Sequence, residues 1–94
     1  MMRATSFARH TMATKRPLVV ADATLDRRFA TNPLVTGRPF VRFYLGIPLL
    51  RSSGEPLGIL SVFDNAARDQ ATADRLGELA RGIAPVLSGA LFGR

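Results

Sequence analysis

The 94-residue sequence predicts an α/β fold, more narrowly α+β: a mixed or antiparallel sheet flanked by helices. Three observations carry this. Val41, Phe43, Leu45, Ile47 and Leu49 alternate with Arg42, Tyr44, Gly46 and Pro48, which is the period of a strand. A second apolar run at 57–63 follows turn residues at 52–56, where Gly54 tolerates positive φ, so the two runs make a hairpin. Helical spacing marks both ends of the chain.

In order along the chain, residues 4–14 place Phe7, Ala8, Thr11 and Met12 on one helical face, and Pro17 ends that pattern because the residue before proline is pushed out of the helical region. The valine-rich run at 17–22 is short enough for a strand and stops at Asp22. Residues 22–37 carry Asp22, Asp26, Asn32, Pro33 and Gly37 and form a loop with a turn or two of helix in 23–30. In the strand at 40–50 the alternation predicts one face committed to the core. The unbroken apolarity of LGILSVF predicts cover on both faces of its partner. Thr72 stands where a helix N-cap is expected, with Asp74 in the first turn. Leu76, Leu79, Ile83, Val86 and Ala90 then recur every three or four residues as an apolar seam, expected to pack on the sheet. Pro85 inside this helix predicts a kink or break at 82–85.

Composition bounds the chemistry. The length allows a single domain over 1–94, and 47% hydrophobic with 21% charged residues is the balance of a folded chain. The absence of cysteine excludes disulfides, thiolate zinc sites, cysteine nucleophiles and thioether-linked chromophores. No stretch reaches the ~18 apolar residues of a membrane span, and the N-terminus lacks the apolar core of a secretory signal, which makes cytoplasmic the default expectation. Twelve arginines and one lysine against seven acids give +6, and all of the excess lies in residues 1–47. Arg3, Arg9, Arg16, Arg27, Arg28, Arg38 and Arg42 are scattered without aromatic interleaving, the pattern of an ordinary solvated surface.

Residues 10–65 resemble the second half of a bacterial GAF domain, the small-ligand sensory module of signalling proteins. The resemblance rests on RPLVVADAT with DRRFATNPLVTG at 16–37, RFY.G.PL at 42–49 and G.PLGILSVFD at 54–64, in family order and spacing, and the closing helix at 72–91 extends it. The likeness implies a partial domain that lacks a first helix and first two strands. That leaves a sheet edge and an apolar face uncovered, so the isolated chain is expected to dimerise or aggregate. Where members of this sub-group often carry cysteine, Ala8 stands here, which puts thiol chemistry out of reach.

Catalytic signals are absent. His10 has no nucleophile with an orienting carboxylate nearby and reads as a surface or helix-terminal histidine. The aspartates lack calcium-loop spacing; Asp22 and Asp64 each follow a strand, where aspartate caps the next element. The resemblance implies that the loop at 22–37 encloses a small ligand against the sheet, with Tyr44 and Arg42 on the strand and Asp22, Arg28 and Asn32 in the loop as candidate contacts. The competing role for the strand pair is structural, with Arg42 tying the loop down through an aspartate and Tyr44 in the core with its hydroxyl satisfied. The expected function is therefore a non-catalytic sensory or regulatory domain that binds a small molecule, forms a homo-oligomer, or both. A histidine kinase or a cyclic-diguanylate enzyme is the implied signalling partner, and the sequence names no cofactor. The alternatives are a basic nucleic-acid-binding module and a vestigial fragment with no independent role.

Overall fold

A computed structural model describes residues 6–92. Three antiparallel strands, β1 (Leu18–Val20), β2 (Phe43–Leu50) and β3 (Pro56–Asp64), form a sheet in the order β1-β2-β3. Helix α1 (Ser6–Thr14) packs on one face of β2, and α3 (Gln70–Phe92) packs on the sheet through β1 and β2. A 3₁₀ turn (Ala23–Leu25) and a short helix α2 (Pro33–Thr36) punctuate the loop between β1 and β2. Ala4 and Thr5, the first residues of the expected helix, and Arg3 lie outside the described residues.

The α1 side of the sheet is an aromatic plug. Phe7 stacks on Phe29 with ring centroids 4.2 Å apart and tilts against Tyr44 at 4.9 Å, and all three are fully buried with Val20, Val35 and Val41. The opposite face is built differently. Ile47 and Leu49 meet Ala80, with Leu45, Ala84 and Leu87 at the margin, and Ala73, Gly77 and Ser88 complete the buried line of α3. Small side chains let the helix axis approach the strands closely.

Four expectations about the strands and the course of α3 are corrected. β2 is buried on both faces, because Tyr44, Gly46 and Pro48 on its even positions are apolar or small enough to lie under α1. The continuously apolar β3 is an edge strand, half-buried at Pro56, Leu57, Gly58 and Ile59 and exposed from Leu60 to Phe63, since no described strand lies beyond it. Most of the α3 seam does not pack on the sheet: Leu76 is half-buried, but Leu79, Ile83 and Val86 are 64, 46 and 66% exposed, and Ala90 is exposed too. The residues that touch the sheet are offset by about a quarter turn and are mostly alanine, glycine and serine, types that a search for large apolar residues passes over. Finally, α3 runs unbroken through Pro85, whose ring lies on the exposed side while Ala84, Leu87 and Ser88 hold the helix from within.

Helix ends are set by local chemistry. Lys15, in the left-handed region at φ 57, closes α1 with its N–H donating to the Thr11 carbonyl at 3.0 Å. The cap of α3 is Asp69 and not Thr72: the Asp69 carboxylate accepts the Thr72 N–H at 2.7 Å, and the Ala73 N–H reaches the Asp69 carbonyl at 3.0 Å. This bond holds the Asp69 carboxyl below its ordinary value. Asp74 lies beyond the first turn and accepts from Gln70 Nε2.

Candidate functional site

The five predicted site residues do not converge on one cavity. Tyr44 is fully buried; its hydroxyl lies 3.3 Å from Thr11 Oγ1 and 3.1 Å from Ser61 Oγ, and Thr11 Oγ1 also donates to the Phe7 carbonyl at 3.0 Å. Gly46 makes this network fit, since a Cβ there would lie 2.3 Å from the Tyr44 oxygen and 2.6 Å from Thr11 Oγ1. Arg42 does tie the covering loop down, but through carbonyls: its guanidinium donates to Val35 at 3.0 Å and Val41 at 3.1 Å. Asn32 caps α2 by accepting the Leu34 N–H at 2.8 Å while its amide donates to Ser6 Oγ at 3.1 Å. His10, expected at the surface or at a helix end, lies half-buried in the middle of α1, where it bonds through Nδ1 to the Ser6 carbonyl at 2.9 Å and meets Phe29 edge-on.

Asp22 and Arg28 share a cleft of about 490 Å³ with Asp26, Arg68 and Asp69. Asp22 caps the 3₁₀ turn through the Thr24 N–H and hydroxyl at 3.0 and 2.6 Å. Arg28 grips Asp26 in a two-point pair, Nε to Oδ1 at 3.0 Å and Nη2 to Oδ2 at 2.7 Å, which lowers the Asp26 pKa. Asp64 caps the turn after β3 through the Ala66 N–H and binds Arg68 at 2.8 Å, and the Arg68 bond is the main reason its pKa is lowered. Arg68 also lies over the Phe43 ring at 4.8 Å.

A larger cavity, about 590 Å³, opens on the other margin of the sheet between the α1–β1 turn, the end of β2 and α3. Lys15, Arg16, Arg51 and Arg81 line it, and Pro17, Pro48 and Pro85 give it apolar walls. Folding thus gathers cations that are 66 residues apart at their extremes, a cluster that no local spacing announces. Among the described residues no group of three His, Asp or Glu side chains is placed to hold a metal, and no helix is long and apolar enough to cross a membrane.

This arrangement of a helix-flanked antiparallel sheet has known counterparts. The family model described as GAF domain matches residues 2–91. The chain belongs to the GAF domain family. A crystallised GAF domain region from Geobacter sulfurreducens PCA superimposes with a TM-score of 0.54 at 23% identity, over 86% of this chain and 55% of that one. A GAF domain from a phosphoenolpyruvate-protein phosphotransferase of Coxiella burnetii gives 0.47 at 23% identity, over 89% and 51%. By sequence, this GAF domain is 47% identical over 66 residues to the cyclic di-GMP phosphodiesterase PA2567 of Pseudomonas aeruginosa; the match spans 70% of this chain and 11% of that protein. The chain therefore covers about half of the solved GAF structures it resembles and about a tenth of its curated relative.

Proposed function

We propose that this GAF domain is a regulatory element that acts through α3, pairing with a second copy of itself inside a signalling protein. The observation that carries this reading is the outward seam. Leu79, Ile83, Val86 and Ala90 keep the three-and-four spacing of a helix-pairing stripe and are left uncovered, while smaller residues hold the helix to the sheet. The apolar surface continues onto the sheet. Leu60 and Val62 pair with Ile47 and Leu45, the residues next to α3, so they flank the helix on its helix-covered face, 46 and 43% exposed. A two-fold pairing of such a stripe buries the same residues on both copies. A ligand or partner that shifts α3 on its smooth alanine and glycine bed would pass a displacement on to whatever follows it.

The relative's name supports an output of the cyclic-diguanylate class, regulated and not catalysed by this chain. The small-ligand part of the reading narrows to Asp22 and Arg28, the two predicted residues that line a common cleft. Sedimentation velocity tests the pairing: the chain is expected to sediment as a dimer, and Leu79→Glu with Val86→Glu as a monomer with an unchanged circular dichroism spectrum. A wild-type monomer, or a dimer that survives both substitutions, refutes it.

A further inference from the structure

We propose that the cleft beside the end of β2 binds a soluble organic phosphate, a molecule with an apolar body of drug-like size and a phosphate group. Its volume of about 590 Å³ lies within the range of small-ligand sites. Its charge is one-sided. Of the cations on this lining, Lys15, Arg16 and Arg81 form no ion pair among the described residues, and Arg51 has one carboxylate partner, Glu55 at 3.3 Å. No acid lines the cleft; Asp74 and Glu78 border a neighbouring one. Three arginines and a lysine on one lining suit a dianion, because guanidinium forks match phosphate oxygens two at a time; Arg81 also borders the neighbouring cleft, between the two.

The floor beneath these charges is apolar. Proline rings at 17, 48 and 85, with Leu50 and Ala84, offer a surface for a hydrophobic body that inorganic phosphate lacks. The same residues exclude an added β-strand as the occupant. β1 pairs with β2 only as far as Gly46, so the margin of β2 beyond it is open. Pro48 carries no N–H there, and the Leu50 N–H is already donated to Ser88 Oγ at 3.0 Å. A molecule recognised by its head and its flat body fits this margin better than a peptide backbone.

The test uses the whole, isotope-labelled chain and three probes: 1-naphthyl phosphate, 1-naphthol and inorganic phosphate. Saturable amide shifts centred on Arg16, Arg51 and Gly89 are expected with naphthyl phosphate, at an affinity at least ~tenfold above that of either half alone. Arg81→Gln and Lys15→Gln should each weaken binding several-fold, whereas Arg27→Gln, an equal loss of charge outside the cleft, should not. Equal affinity for inorganic phosphate, equal weakening by Arg27→Gln, shifts centred elsewhere, or no saturable binding overturns the proposal.

Discussion

The two sides of the sheet are held by different means. Under α1 the contacts are large, aromatic and sealed: Phe7, Phe29 and Tyr44 have no exposure, and their one polar group is fully bonded. Under α3 the contacts are small, running from Ala73 to Ser88, with the larger apolar side chains left at its flank. A side packed by interlocking rings resists sliding, since any shift opens voids; a side packed by alanine, glycine and serine loses little when it moves. One face of this domain is a frame and the other a carriage.

Three substitutions break or sharpen that contrast. Phe7→Ala, at the centre of the rings, should cost about 3–5 kcal/mol and unfold the whole domain in a denaturant titration. Ser88→Ala leaves the Leu50 N–H without its acceptor and should cost about 1–3 kcal/mol, seen first as faster amide exchange in the last turns of α3. If Ser88→Ala instead destabilises as much as Phe7→Ala, the two sides are energetically alike and the contrast fails. The smallest effect belongs to the loop. Asp26 has a folded pKa below its ordinary 3.8, so its contribution is complete above that value and is lost as pH falls through the lower, folded one. Arg28→Gln should therefore destabilise slightly at neutral pH, with the difference from wild type shrinking as pH falls below 3.8 and vanishing once Asp26 is protonated in the fold.

Much of the frame was legible in the residues. The alternation at 41–49, the Gly54 turn and the stop at Pro17 led to strands and helix in the right order, and capping by Asp22 followed from its place after a strand. What misled were cues about neighbours. LGILSVF is apolar enough for a central strand, but burial depends on what lies alongside, and within residues 6–92 β2 takes the centre. The seam of α3 drew the eye to leucine and valine when the contact surface is alanine and glycine. Of the candidate site, Asp22 and Arg28 share a cleft, whereas Arg42, Asn32 and Tyr44 are committed to backbone and hydroxyl bonds that side-chain type alone does not announce. The basic cleft escaped entirely, because Lys15 just past α1, Arg51 just past β2 and Arg81 in α3 are brought together only by the tertiary fold.

Pro48 and the serine clasp on Leu50 also bear on how the sheet can grow. The margin of β2 past β1 offers an incoming chain neither of these two amide hydrogens, whereas no described strand pairs with the far rim along β3. A strand laid beside the end of β2 therefore meets a margin short of donors, so that stretch favours contacts through side chains over growth of the sheet.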